Sequence, residues 1–140
     1  DAPQLTELIK ETDYAISIHG ASGTEKICYM GGNDIALRNA IWSYLEKEGF
    51  NVQLADESIR GEKDNNITNR TRKSKGVQIE LTTELRKSFF KGGTTSRLYR
   101  ENKDNWTNDI RIMAKAIHDA TQEHLKYESR KEVTKYEVDL

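Results

Sequence analysis

Several features that would assign a function by themselves are scarce or absent in this sequence. The 140 residues include one cysteine, Cys28, so neither an internal disulfide nor a cysteine-rich zinc site can form. There are 22 basic and 23 acidic residues, a net charge of −1, so no strong field favours nucleic acid or an anionic membrane as a partner. No apolar run approaches the ~20 residues that a membrane-spanning helix needs. What is left is a polar globular chain whose chemistry must be sought in a few individual residues.

The length is typical of one domain, and we expect residues 1–140 to form a single domain with one hydrophobic core. The chain does not begin with Met, and its first residues, "DAPQLTELIK", already have the pattern of a helix. We therefore expect further residues upstream of Asp1.

Hydrophobic periodicity predicts alternating helices and strands, and hence an α/β fold. The predicted strands are 14–19, 25–32, 50–55 and 76–82, and the predicted helices are 3–12, 33–49, 83–90 and 104–128. Asn33 is the expected N-cap of the second helix, and the strands on either side of that helix are expected to pair in parallel. Strand 14–19 is apolar enough to be central in a sheet covered on both faces. The tail, 129–140, is compatible with a strand, a docking arm or disorder.

The short motif "SIHG" places His19 where strand 14–19 ends and glycine follows. A histidine packed near a turn would explain this without any function. Two features favour chemistry: Gly20 and Gly23 allow backbone or ligand to approach closely, and ligands of open α/β sheets bind beyond the carboxyl ends of strands. His118 and His124, six residues apart on one helix, lie on different faces and do not form a metal pair.

Glu80 lies in "GVQIELT", where apolar and polar residues alternate. A strand with one solvated face explains that pattern structurally. If helices cover the sheet on both sides, however, a carboxylate on a central strand is costly unless it is paired or linked to a metal. Such a carboxylate suits a general base or acid.

A long polar loop, 56–75, contains "NNITNR", in which Asn69 and Arg70 are adjacent. Together they are able to form a planar fork on a substrate carboxylate. An asparagine-rich turn with a surface arginine is the plainer interpretation. A second polar loop, 91–104, carries further basic residues.

Taken in order, "SIHG", "YMGGNDIALRNAI" and "NNITNR…SKGVQIELTTELRKSFF" resemble the poly-γ-glutamate hydrolase family of bacteriophages and bacilli. The resemblance implies a zinc-carboxypeptidase-like, three-layer fold with an open, mixed or mostly parallel sheet flanked by helices. It implies zinc-dependent cleavage of γ-glutamyl amide bonds in the polymer poly-γ-glutamate. His19 then matches a zinc ligand and Glu80 the glutamate that activates the zinc-bound water. Asn69 and Arg70 match a loop motif that would hold substrate carboxylates.

The chain departs from the family in one respect, because it lacks the upstream motif of the H-x-x-x-x-E type that supplies a second histidine and a glutamate to the zinc. The chain therefore resembles the C-terminal two-thirds of a larger catalytic domain without its N-terminal strands. Two functions stay open: a zinc-dependent γ-glutamyl hydrolase, or a non-catalytic module that binds poly-glutamate or a partner. An extracellular or phage-associated monomer, with no nucleic-acid partner, is expected.

Overall fold

The computed structural model describes residues 3–56, 69 and 71–139. Side chains are described for these residues except Thr6 and residues 132–139. The helices are α1 (Pro3–Lys10), α2 (Ile35–Lys47), α3 (Thr83–Lys87), α4 (Arg97–Glu101) and α5 (Asn108–Asp139). The strands are β1 (Ile16–Ala21), β2 (Cys28–Gly31), β3 (Val52–Leu54) and β4 (Val77–Thr82). Two short 3-10 turns, Lys91–Gly93 and Lys103–Asn105, flank α4.

The four described strands form one mixed sheet in the order β1-β4-β2-β3. Strands β1 and β4 pair in parallel, β2 and β3 pair in parallel, and β4 runs antiparallel to β2. The α/β fold with an open mixed sheet is thereby confirmed, as is the parallel β2–α2–β3 unit. Among the described strands β1 lies at the edge of the sheet, not at its centre, and Ile18 is 55% exposed. The prediction of a central first strand was wrong.

The core lies between the apolar face of the sheet and the helices α2 and α5. On β4 that face is formed by Val77 and Ile79, which are fully buried. Helix α2 contributes the fully buried stripe Leu37, Ile41 and Leu45. The core-facing residues of α5 are Met113, Ala116 and Ala120. Because strand side chains alternate, the opposite face of β4 carries Gln78, Glu80 and Thr82. Helices on both faces of the sheet, as a three-layer fold requires, stay a prediction.

Helix α2 begins one residue later than its sequence pattern predicts. Asp34, not Asn33, is the N-cap, and its carboxylate accepts a hydrogen bond from the Leu37 amide at 3.2 Å. The Asn33 side chain is used elsewhere: its Nδ2 donates to the Ser74 carbonyl at 2.8 Å, and its Oδ1 accepts from the Gly76 amide at 3.0 Å. Asn33 thus fastens the start of α2 to the segment that leads into β4.

The last helix is longer than predicted at its C-terminal end and shorter at its start. α5 begins at Asn108, after a 3-10 turn and Trp106, and its backbone continues through the tail to Asp139. His124 on this helix is 8% exposed, whereas His118 is exposed, so the two do lie on different faces. Within the described part of the chain, no helix has the length and apolarity needed to cross a membrane.

Candidate active site

Four side chains form one row across the polar face of the sheet. The register places His19 of β1 opposite Glu80 of β4, Glu80 opposite Tyr29 of β2, and Tyr29 opposite Gln53 of β3. Directly opposite residues point to the same face, and neighbouring strands are about 4.8 Å apart. The imidazole and the carboxylate singled out in the sequence are therefore nearest neighbours on one surface.

Glu80 is the buried member of this row. It lies on β4, between two other strands, and it is 9% exposed. The Gln78 side-chain amide, two residues earlier on the same face, donates a hydrogen bond from Nε2 to Glu80 Oε1 at 2.8 Å. No described residue donates to Oε2. Among the described residues, therefore, only Oε1 of this carboxylate is held in place by a donor.

His19 is placed differently from its prediction. It is the fourth of six residues in β1, which continues to Ala21, so it does not end the strand. It is exposed, as befits a side chain on the outermost of the described strands. An exposed imidazole adjacent to a buried carboxylate gives the row one accessible nitrogen ligand and one shielded proton acceptor.

The glycines after His19 are closely approached by side chains of α3 and β4. A Cβ on Gly20 would lie 2.9 Å from the Arg86 guanidinium carbon, and one on Gly23 would lie 3.0 Å from Thr82 Cγ2. Arg86 donates to the carbonyls of Leu81 and Ala21 at 3.1 and 3.2 Å. A side chain at position 20 would therefore have to displace the end of the Arg86 side chain, which joins the ends of β1 and β4. Both glycines thus do allow close approach, by other side chains of this chain, and the approach of a ligand stays a prediction.

Asn69 is buried, with 2% exposure, and Arg70 lies outside the described residues. Asn69 Oδ1 accepts a hydrogen bond from the Asn33 backbone amide at 3.3 Å. Immediately before Asn33, Gly32 has φ +85°, and a Cβ there would be 2.2 Å from the Gly76 carbonyl oxygen. The Asn69 side chain is thus anchored against the β2–α2 turn. A contact between Asn69 or Arg70 and substrate stays a prediction.

A complete zinc centre cannot be built from the described residues. None of their His, Cys, Asp and Glu side chains come together in groups of three or more. A catalytic zinc takes three protein ligands and keeps one open position. His19 and Glu80 supply at most one imidazole and one carboxylate, so the residues present do not by themselves fit the metal.

Cys28 takes no part in this chemistry. It pairs with Leu81 in the sheet register and faces the core, where it is fully buried. Burial raises the pKa of its thiol from 9.0 to about 12, which keeps the sulfur protonated at neutral pH. A neutral thiol is neither a good nucleophile nor a metal ligand.

Sequence reasoning identified His19 and Glu80 but missed three residues that shape their surroundings. Gln78 shares the face of Glu80 by strand alternation, a signal that was present in the sequence. Tyr29 becomes a neighbour of Glu80 only once the register is known, because pairing decides which residues of different strands lie side by side. Arg86 carries no signal in the sequence beyond a basic residue at the end of a short helix.

Comparison with known proteins supports one family. The profile of the family "Poly-gamma-glutamate hydrolase" matches residues 1–112. The SPbeta prophage-derived UPF0714 protein YoqZ of Bacillus subtilis (strain 168) is 30% identical over 121 residues, which are 85% of this chain and 44% of YoqZ. The UPF0714 protein YmaC of the same organism is 33% identical over 92 residues, 64% of this chain and 39% of YmaC. The chain thus spans less than half the length of these curated relatives.

The fold has solved counterparts. The structure of a bacteriophage poly-gamma-glutamate hydrolase superposes with a TM-score of 0.85 at 30% identity, covering 91% of this chain and 60% of that one. The zinc-free structure of YndL superposes with a TM-score of 0.78 at 24% identity, over 87% of this chain and 59% of that one, and it supports the fold. The matched profile, which includes the His19–Glu80 row, shows that the chain belongs to the poly-γ-glutamate hydrolase family.

Proposed function

We propose that this chain carries the catalytic carboxylate and one metal ligand of an enzyme that hydrolyses γ-glutamyl amide bonds in poly-γ-glutamate. The observation that carries the proposal is the pairing of His19 with Glu80 across β1 and β4 in a member of this family. The substrate assignment rests on the family, and the assignment of roles rests on the row of side chains.

In this proposal Glu80 handles the protons of the reaction. A water oxygen attacks the carbonyl carbon of the γ-amide, Glu80 accepts the water proton, and the C–N bond breaks when that proton passes to the departing amine nitrogen. Gln78 holds Oε1, so Oε2 is the oxygen that exchanges the proton. The fixed carboxylate needs no reorientation between the two transfers, which favours catalysis by positioning.

The proposal includes zinc as the cofactor of the reaction. One of the similar solved structures is described as the zinc-free form of YndL, and this supports zinc as a cofactor in the family. In this chain His19 would be a zinc ligand, because it is an exposed imidazole beside Glu80. The remaining ligands would have to come from residues outside the described ones, since the described residues hold no third partner.

Substrate carboxylates are assigned to Arg70, with Asn69 as a positioning residue. The buried Asn69 accepts a hydrogen bond from the Asn33 amide, which fixes the chain immediately before Arg70. A guanidinium matches a carboxylate in a bidentate geometry. The relatives include prophage-derived and bacteriophage proteins, which supports a phage-associated or extracellular setting for a polymer-degrading enzyme.

A non-catalytic polymer-binding module is the second candidate. The absence of a three-ligand group among the described residues favours it, because one histidine does not hold a catalytic zinc. Such a module would bind poly-glutamate without cleaving it, so cleavage of the polymer distinguishes the two functions.

The test measures the release of new amine ends from poly-γ-glutamate by the wild-type protein and by Glu80→Gln. Loss of the proton acceptor should lower the rate about 10²- to 10⁴-fold. Glu84→Gln, which neutralises a partly exposed carboxylate four residues later, is the matched control and should keep the wild-type rate. Near-full activity of Glu80→Gln would contradict the catalytic role. Polymer binding without any cleavage by the wild type would establish the module.

A further inference from the structure

A basic depression lies at the start of α5, built from a different part of the chain than the His19–Glu80 row. It has a volume of about 590 Å³, and its charged lining residues are Lys91, Lys103, Asp104 and Arg111. Trp106 forms part of its wall. Three cations face one carboxylate, an excess of positive charge on a chain whose overall net charge is −1.

Two of the three cations of this depression lie against an aromatic ring. Lys103 Nζ lies 5.9 Å and the Arg111 guanidinium carbon 5.5 Å from the centroid of the Trp106 ring. Among the described residues, Lys91, Lys103 and Arg111 form no ion pair, whereas Lys115 on the same helix as Arg111 pairs with Asp119 at 2.5 Å. Their charges are therefore available to an external anion without breaking an internal salt bridge.

The wall of the depression is fixed by backbone contacts. The Trp106 indole donates from Nε1 to the Arg100 carbonyl at 2.7 Å. The Thr107 hydroxyl donates to the Ser88 carbonyl at 2.7 Å, and the Thr107 amide donates to the Phe89 carbonyl at 2.9 Å. These bonds tie Trp106 to α4 and Thr107 to the residues that follow α3. The cations next to the ring are therefore presented on a preorganised surface, which reduces the entropy lost on binding.

The spacing suits a chain of carboxylates. Lys103 and Arg111 both approach the Trp106 ring, so their charges are no more than about 11 Å apart, the sum of the two distances. A γ-linked glutamate repeat has five backbone bonds instead of three, so its extended length is about 6 Å by proportion to an ordinary residue. Carboxylates on the same or the next repeats can therefore contact both cations together.

We propose that this depression, defined by Lys91, Lys103, Trp106 and Arg111, is a second binding site for the polycarboxylate chain, separate from the bond that is cut. The proposal rests on the proposed function for the identity of the polymer. Binding at this site tethers a long substrate and raises its local concentration near the catalytic row. Short γ-glutamyl substrates that do not reach the depression gain nothing from it.

The test uses a Trp42→Phe/Glu80→Gln protein, in which Trp106 is the sole tryptophan and the polymer is not cut by Glu80 chemistry. Labelled poly-γ-glutamate is titrated by fluorescence anisotropy, and Trp106 emission is followed in a parallel titration. Adding Lys103→Ala/Arg111→Ala should weaken polymer binding roughly five- to ten-fold at low salt. Adding Lys126→Ala/Lys131→Ala, which removes two exposed cations from the far part of α5, should change it less than two-fold.

Three results would overturn the proposal: no change of Trp106 emission on polymer binding, equal weakening by the two double variants, or equally tight binding of duplex DNA. The last result would make the depression a general anion or nucleic-acid site. Cleavage by the wild-type protein is measured separately. If Lys103→Ala/Arg111→Ala binds and cuts the polymer as the wild type does, only the second site fails. If the depression binds the polymer but the wild type never cuts it, the second site stands and the hydrolase assignment fails.

Discussion

Gln78→Met removes the hydrogen bond that positions Glu80. Methionine is close to glutamine in length and shape but lacks the amide that donates to Glu80 Oε1 at 2.8 Å. Both residues are buried, at 7% and 9% exposure, so water cannot fully replace the donor. Hydrogen bonds to charged groups contribute about 1.5–3 kcal/mol, and a buried acceptor left without its donor costs a similar amount. We therefore expect a loss of about 2 kcal/mol in the free energy of unfolding.

The assay is urea unfolding followed by circular dichroism, with Gln53→Met as the control. Gln53 lies on the same face of β3 but is exposed, and its side chain donates to Asn51 at 3.3 Å. Its replacement should change the free energy of unfolding by less than about 0.5 kcal/mol. Replacing both partners, in Gln78→Met/Glu80→Leu, should recover much of the loss, because no buried acceptor is then unsatisfied. This reasoning would be refuted if Gln78→Met lost less than about 0.5 kcal/mol. It would also be refuted if the double variant lost more free energy of unfolding than the two single variants lose together.

Two further predictions concern the turn before α2 and the buried thiol. Gly32→Ala should lower the free energy of unfolding by more than about 3 kcal/mol, and the melting temperature by roughly 10 °C, because φ is +85° and the new Cβ would lie 2.2 Å from the Gly76 carbonyl oxygen. The control is Gly49→Ala, at φ +91° with nothing within 4 Å of the new Cβ, which should lose only the free energy due to the left-handed backbone conformation. Equal losses for the two variants would contradict the steric argument. Cys28 should resist thiol reagents at pH 8 until the protein unfolds, since burial raises the pKa of its thiol to about 12. The unfolded thiol ionises from pH 9 and the folded one only near pH 12, so this residue should lower the free energy of unfolding as the pH rises between those values. Fast labelling of the native protein at pH 8 would contradict the burial of this thiol.

Local sequence patterns predicted much of the fold. The apolar stripe of α2 appears in the structure as its buried face, and the alternation of β4 separates an apolar face from a polar one, although both faces of that strand are buried. The parallel pairing of β2 with β3 followed from the helix between them, since a strand–helix–strand crossover returns the chain in the same direction. These features depend on residues that are near one another in sequence.

The features that were wrong or missed depend on distant contacts. An apolar strand such as 14–19 has the same pattern at the centre of a sheet and at its edge, so the position of β1 could be known only from its pairing with β4. Asn33 and Asp34 are both good N-caps, and the choice was decided by Ser74 and Gly76, some forty residues away.

The candidate site shows the same division. The residue types of His19 and Glu80 suggested chemistry from the sequence alone, and the resemblance to a family assigned their roles. Their adjacency required the register of β1 against β4, whereas the position of Gln78 beside Glu80 follows from alternation within β4. Arg86 joins the ends of these strands by hydrogen bonds to their carbonyls, which no local pattern specifies.

The central claim is that His19 and Glu80 act together on one bond of poly-γ-glutamate. The most direct measurement is the hydrolysis rate of the double variant His19→Ala/Glu80→Gln beside each single variant and the wild type. Residues that act as one unit are non-additive, so the account predicts a double variant about as slow as the slower single variant. The account would be contradicted if the single variants hydrolysed the polymer at the wild-type rate. It would also be contradicted if the rate of the double variant were reduced by the product of the two single reductions.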